Sequence, residues 1–145
     1  MARITGGKSY ADRLRRLTGP EAQRQIGAAL QAAGELIQTD AQISITAGAV
    51  SGKAHVPSAP GTPPNNDTGR LAGNIETGKY VAENGRVTVQ VSSNAPYAIP
   101  QEFGNSKLPE RPYMRPSAAK NREAASQLVA RAVSHIAKGG TVTGD

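Results

Sequence analysis

The stretch SNAPYAIPQEFGNSKLPERPYMRP, residues 93–116, decides the shape of this 145-residue chain. It contains the only Phe, two of the four Tyr and several of the ten Pro. Aromatic side chains bury large areas and proline fixes the φ angle, so this composition predicts a rigid, shaped connection. We call residues 93–116 the clasp. The clasp has no His and no Cys, which indicates packing and recognition rather than catalysis.

Two strand-like runs precede the clasp, at residues 77–82 and 86–92. Asn84-Gly85 lies between them, and Asn-Gly between alternating residues is the strongest short signal for a β-hairpin. Every second residue of the later run is apolar: Val87, Val89 and Val91. One side of the hairpin is therefore expected to pack on a helix.

Periodic apolar residues predict two long amphipathic helices, one over about residues 20–45 and one from Pro116 to about residue 138. Thr18 could cap the first of them. Its stripe is rich in Ala, and Gly27 and Gly34 beside it would let another element approach the backbone closely. The fold class is therefore α+β, with both helices packed on a small antiparallel sheet.

Shorter helices are expected at three further places. Ser9 could cap one in the basic N-terminal segment 1–18, and Asp67 or Thr68 could cap another. The third spans residues 97–103 of the clasp and ends at Gly104.

A long Pro- and Gly-rich loop, residues 46–66, separates the first long helix from the sheet. It has few large apolar groups to offset the cost of ordering its backbone. We expect it to be mobile in the free subunit and ordered by a neighbour. His55 within it is interpreted as a solvated loop histidine.

Composition indicates one domain, residues 19–138, followed by a flexible tail at 139–145. The chain has no Cys and only two His, which excludes disulfides and gives a metal site little support. We expect no cofactor. No apolar run approaches the roughly 20 residues that cross a bilayer, so we expect a soluble, unexported protein.

The net charge of +6 is uneven. Both ends are basic, whereas residues 25–106 are mildly acidic. Such asymmetry is compatible with nucleic-acid binding, and equally with a subunit whose basic flank meets an acidic face of its neighbour.

The order of these elements, with the segments PGTPPNNDTGRLAGNI, APYAIPQEFG and RPYMRPSAAKN, resembles the gene product ten family of long-tailed phages. The resemblance covers roughly residues 20–138 and does not explain segment 1–18. Its motif residues are Pro60, Gly61, Pro63, Pro64, Thr68, Gly69, Arg70, Leu71, Tyr97, Ala98, Glu102, Phe103, Gly104, Pro112, Tyr113, Arg115, Pro116 and Ala118. One departure is Tyr113-Met114, where a Phe-Leu or Phe-Met pair is commoner.

The resemblance implies a virion structural protein of the phage neck, a tail-completion component without enzymatic activity. It would assemble as a homo-oligomeric ring between the head-tail connector and the tail tube, around the passage for double-stranded DNA. The expected assembly residues are most of these motif residues together with Arg111. They are Pro60, Gly61, Pro63, Pro64, Thr68, Gly69, Arg70, Tyr97, Glu102, Phe103, Gly104, Arg111, Pro112, Tyr113, Arg115 and Pro116. The virion is the expected location, with the host cytoplasm during assembly.

Two rival hypotheses remain open. The basic ends favour a module that binds double-stranded DNA, although the strands lack aromatic pairs for base stacking. Asp67, Glu102 and His135 could converge in an enzyme, but nothing in their spacing requires it. We also expect Phe103 and Tyr113 to anchor the clasp in the core, as its largest apolar side chains.

Overall fold

Two long helices and two short antiparallel strand pairs dominate the computed structural model, which describes residues 6–48 and 52–139. The helices are α1 Gly7–Thr18, α2 Pro20–Thr46, α3 Arg70–Gly73, α4 Ala98–Phe103 and α5 Met114–Ala137. The strands are β1 Ile75–Thr77, β2 Val81–Glu83, β3 Arg86–Thr88 and β4 Val91–Ser93. A short 3-10 turn spans Gly52–Ala54. The predicted α+β class is confirmed.

The two long helices lie against each other and were both predicted. Pro20 opens α2 and Glu21 lies in its first turn, which suits the positive end of the helix dipole. The predicted stripe of α2 is buried at Ala33 and Ala41, and α5 buries Ala132 and Ile136. Ala41 belongs to the core cluster with Ile75 and Tyr113, so α2 contributes to that core as well as to the contact with α5.

The predicted caps at the N-terminal end are wrong. The helix α1 begins at Gly7 with Gly6 as its N-cap, so Ser9 lies inside the helix. The Thr18 hydroxyl donates to the Leu14 carbonyl oxygen at 2.9 Å, and Gly19 is the N-cap of α2. Thr18 therefore closes α1 and does not open α2.

The predicted hairpin turn is confirmed, but each predicted strand is divided into two. Strands β2 and β3 pair with Glu83 opposite Arg86, and both Asn84 (φ 51°) and Gly85 (φ 73°) have positive φ, as a tight hairpin turn requires. Strands β1 and β4 form the other pair, with Thr77 opposite Val91. Between the two strand pairs, the Gly78 N–H donates a hydrogen bond to the Gln90 carbonyl oxygen at 2.8 Å.

Gly27 and Gly34 of α2 accommodate this hairpin, as expected from the sequence. A Cβ on Gly34 would lie 2.7 Å from Thr77 Cγ2 and 3.2 Å from Val89 Cγ1. A Cβ on Gly27 would overlap the ring of Tyr80. Side chains of the hairpin therefore pack directly on the backbone of α2 at these two glycines.

The core lies between α2, α3, β1 and the clasp. Tyr113 (1% exposed) is its largest side chain, and it belongs to one cluster with Ile45, Leu71 and Ile75. The clasp thus supplies an aromatic ring to a core otherwise built of Ala and aliphatic residues. Burial raises the pKa of the Tyr113 hydroxyl above its ordinary value.

The start of α3 also differs from the prediction. Its N-cap is Gly69 (φ 78°), whose N–H donates to Asn66 Oδ1 at 2.8 Å. Thr68 is exposed, and Asp67 accepts a hydrogen bond from the Gly52 N–H at 3.0 Å. Asp67 therefore ties the 3-10 turn to the chain before α3 instead of capping the helix.

Candidate assembly interface

Glu102 is the centre of the clasp. Its carboxylate is buried, although it lies in the short helix α4 near the surface. It accepts backbone N–H bonds from Tyr113 at 2.8 Å, Met114 at 3.0 Å and Arg115 at 2.9 Å. Nε of Arg115 donates a further bond to it at 3.0 Å. A side chain from one helix therefore caps the beginning of another.

This cap satisfies every donor in the first turn of α5. A helix leaves its first four N–H groups without partners in the helix. Three of them, on Tyr113, Met114 and Arg115, donate to Glu102, and the fourth position is Pro116, which has no N–H. The helix begins two residues before the predicted Pro116 because Glu102 completes the earlier turn.

The ionised form of Glu102 is favoured despite its burial. Burial alone would raise the pKa of the carboxyl. The N–H bonds from Tyr113, Met114 and Arg115, together with the Arg115 guanidinium, outweigh that effect and hold the pKa of Glu102 below its ordinary value. The negative charge also faces the positive end of the α5 dipole.

Gly104 allows the clasp to fold back after α4. Its φ of 70° is in the left-handed region, and a Cβ there would lie 2.8 Å from the Glu110 nitrogen and 2.9 Å from the Leu108 carbonyl oxygen. Asn105 stabilises the returning chain, because its Oδ1 accepts hydrogen bonds from the N–H groups of Lys107 and Leu108, both at 2.9 Å. Gly104 is therefore a steric requirement of the clasp.

The outer side of the clasp is apolar and open. Ile99 is 73% exposed, Phe103 is 59% exposed and Leu108 is 37% exposed. The Arg115 guanidinium lies over the Phe103 ring, 4.8 Å from its centroid, and its Nη2 donates to Glu110 at 2.9 Å. The expectation that Phe103 anchors the core is wrong, because Tyr113 fills that place and leaves Phe103 outside. We call Ile99 and Phe103, which lie one turn apart on α4, the outer face; Leu108 lines a separate cleft with Pro57 and Ser58 of the loop.

The described part of the long loop, residues 52–66, is held against the clasp. The Gly61 N–H donates to the Glu110 carbonyl oxygen at 2.9 Å, and Nε of Arg111 donates to the Ser58 carbonyl oxygen at 3.0 Å. Positive φ at Gly61 (79°) turns the chain there. Residues 52–66 thus have hydrogen-bond partners in their own domain, which the sequence did not predict.

The remaining predicted assembly residues divide by exposure. Pro64, Thr68, Arg70 and Tyr97 line one cleft of about 370 Å³ between the loop and α4. Pro60, Gly61 and Pro116 are exposed, whereas Pro63, Gly69, Gly104, Arg111 and Pro112 are half-buried. Glu102 and Tyr113 are buried and act within the subunit. The predicted set therefore contains both exposed and buried residues.

Ile99 and Leu108 were missed from the sequence. The four-residue spacing of Ile99 and Phe103 places them on one face of α4, a signal that could have linked them. The helix is only six residues long, so periodicity could not show whether that face is buried or exposed.

The structure does not bring Asp67, Glu102 and His135 together. Glu102 caps the first turn of α5, and His135 lies in the last turn of the same helix, roughly 30 Å away at the helical rise per residue. Among residues 6–48 and 52–139, no group of His, Cys, Asp and Glu side chains could hold a metal ion. Nor does any helix in these segments have the length and apolar character needed to cross a membrane.

Comparison with known proteins agrees with this description. The family model "Bacteriophage HK97-gp10, putative tail-component" matches residues 8–104. No curated protein and no solved structure matches the chain.

The matched range includes nearly all of α1, so the basic helix that the motif resemblance left unexplained lies inside the family match. It also includes α2, the hairpin and the Glu102-Phe103-Gly104 segment of the clasp, and it ends before α5. Since it covers more than half of the chain, the protein belongs to the HK97-gp10-like family of phage tail components.

Proposed function

We propose that this protein is a neck or tail-completion subunit that forms a homo-oligomeric ring at the head-tail junction and joins the connector to the tail tube. Membership of a tail-component family supports a structural role in the virion. The finer proposal rests above all on the outer face of the clasp, where the only Phe of the chain is 59% exposed.

An exposed aromatic residue on a rigid support is typical of protein–protein interfaces. Interface cores are enriched in aromatic residues and Arg, and Phe103 lies under the Arg115 guanidinium. Arg115 is fixed by bonds to the Glu102 carboxylate at 3.0 Å and to the Glu102 carbonyl oxygen at 2.8 Å. The clasp is therefore ordered before association, which lowers the entropic cost of binding.

The assembly residues proposed for contact with connector and tail proteins are the exposed ones on and beside the clasp. They are Pro60, Gly61, Thr68, Arg70, Tyr97, Phe103, Arg115 and Pro116. Double-stranded DNA would pass through this ring without sequence-specific contacts.

Mass measurement over a range of protein concentrations, alone and with purified connector or tail-tube protein, tests this proposal. The expected result is a closed oligomer, or a defined complex with one of these partners, that Phe103→Ser weakens. A wild-type protein that stays monomeric and binds neither partner would refute the proposed function.

A double-stranded-DNA-binding module is the alternative, and the basic surface of α1 favours it. Lys8, Arg13, Arg15 and Arg16 are all exposed on this one helix. Titration of duplex DNA at several salt concentrations separates the two functions, since each neutralised phosphate steepens the salt dependence. Submicromolar affinity with a steep salt slope in the isolated protein would favour the DNA module.

A further inference from the structure

The groove between α2 and α5 has an apolar floor that nothing in the described chain covers. Its volume is about 630 Å³, and its apolar side chains include Leu36, Ile43 and Leu128. Leu36 is 41% exposed and Ile43 is 57% exposed. These two residues are seven positions apart, so they lie two turns apart on the same face of α2.

The helix α1 contacts α2 and α5 of its own chain, but these contacts leave much of its apolar stripe exposed. Tyr10, Leu14 and Leu17 recur at spacings of four and three, which aligns them on one side of the helix. Tyr10 is 65% exposed, Leu14 is 45% exposed, and α1 buries no residue. The stripe spans two helical turns, which is the spacing of Leu36 and Ile43 in the groove.

The α1 helix of the same chain cannot cover this groove. It joins α2 directly at Gly19, and Tyr10 lies nine positions before that junction, about 14 Å along a helix. Leu36 lies 17 positions after the junction, about 26 Å along α2. Even if α1 ran straight back along α2, Tyr10 would stop well short of Leu36.

The charges of the two surfaces are complementary. The polar side of α1 carries Lys8, Arg13 and Arg16 in addition to Arg15, which pairs with Asp12 at 3.5 Å. The groove is lined by Glu35 and Asp40 and by no Lys or Arg. Lys120 pairs with Asp40 at its edge, so the exposed Glu35 carries most of the attraction for a basic helix.

From these four observations we propose that α1 of one copy docks in the α2–α5 groove of the next copy, with Tyr10 and Leu14 against Leu36, Ile43 and Leu128. The contact joins two different surfaces, so repeating it propagates head to tail and closes into a ring when the rotation permits. The proposal deepens the proposed function, because it rests on the ring and names the contact that links neighbouring subunits.

The absence of Cys allows a direct test by cross-linking between two single-cysteine proteins. A mixture of Leu14→Cys and Leu36→Cys, treated with a short bismaleimide, should give a cross-linked mixed dimer. Its yield should be at least about tenfold higher than the yield obtained when Val56→Cys replaces either of the two proteins. Val56 is a matched control because it is apolar and 65% exposed but lies in the loop. The reaction is run on the free protein at high concentration and on assemblies with connector or tail protein.

Equal yields for Leu36→Cys and Val56→Cys in both settings would overturn the docking proposal. If the wild type still forms rings in that case, the proposed function stands and only this contact is wrong.

A charge test adds a second readout. Glu35→Lys should weaken self-association, whereas Glu83→Lys, at an exposed acidic residue of β2, should not. Loss of duplex-DNA binding in Arg13→Glu with self-association unchanged would instead assign α1 to DNA and refute the contact.

Discussion

The clasp and the α2–α5 helix pair are held together by different kinds of contact. In the clasp, specific polar contacts fix the backbone: Glu102 caps α5, and Gly104 admits the returning chain. In the helix pair, small residues such as Ala33 and Ala132 are buried, while Leu36 and Ile43 remain exposed. The inner contacts of the clasp are completed within the subunit, whereas Phe103 on its outer face, like Leu36 and Ile43 of the helix pair, leaves apolar area for a neighbour. Substitutions at the inner contacts of the clasp should therefore affect stability, and substitutions at the exposed apolar residues of either region should affect association.

The largest effect is expected from Glu102→Ala. The substitution leaves three backbone N–H groups and Nε of Arg115 without their acceptor. Loss of a buried carboxylate with several bonds should cost on the order of 3 kcal/mol in the free energy of unfolding. Chemical denaturation measures it. The control is Glu110→Ala, which removes one exposed pair with Arg115 and should cost less than about 1 kcal/mol. Equal losses would contradict the capping role.

Gly34→Val should have the next largest effect, because its side chain would collide with Thr77 and Val89 of the hairpin. Overpacking of this kind costs about 1 to 3 kcal/mol. Thermal melting checks it against Gly73→Ala, where a Cβ meets nothing within 4 Å. If Gly34→Val melts like the wild type, the hairpin does not pack on α2 as described.

Acidification should weaken the clasp through Glu102. The pKa of Glu102 is lowered in the folded protein, so its contribution is present above the ordinary glutamate value of 4.5 and is lost as the pH falls through the lower folded value. Denaturation at several pH values should show stability falling on the acid side of that value. Glu102→Gln should remove this part of the pH dependence. An unchanged acid limb in Glu102→Gln would show that other carboxylates cause it.

The smallest effect on stability is expected at the loop. Arg111→Ala removes the bond to the Ser58 carbonyl and should cost about 1 kcal/mol or less, since one hydrogen bond is lost. Limited proteolysis should nonetheless cut residues 52–66 faster in this variant. Arg86→Ala, an exposed hairpin residue, is the control. Equal cleavage rates in the two variants would mean that Arg111 does not hold the loop.

Sequence patterns predicted the elements of this fold better than the contacts between them. The period of α2 and α5, the Asn84-Gly85 turn and the Gly27 and Gly34 notches are local signals, and all were confirmed. The helix starts were less predictable: a Gly occupies the N-cap of α1, α2 and α3, and the partner of the α5 start lies 11 positions upstream at Glu102. No local capping rule describes such a cap.

The candidate site was predictable as a region but not residue by residue. The resemblance pointed to the clasp, and residues 93–116 do form it. Which aromatic residue faces inward could not be read from composition, because Phe103 and Tyr113 are both large and flanked by prolines or glycine. The choice depends on α4 and α5 meeting through Glu102, which is a tertiary contact.

The central claim is that the clasp is a rigid support for an exposed assembly surface, and Phe103→Ser tests it most directly. One preparation of this variant is compared with the wild type by melting temperature and by the mass of the complex formed alone and with connector or tail-tube protein. The account predicts a melting temperature within about 2 °C of the wild type, as for a surface substitution, and a marked loss of assembly. A sharply lowered melting temperature with full assembly would contradict it and return Phe103 to the core.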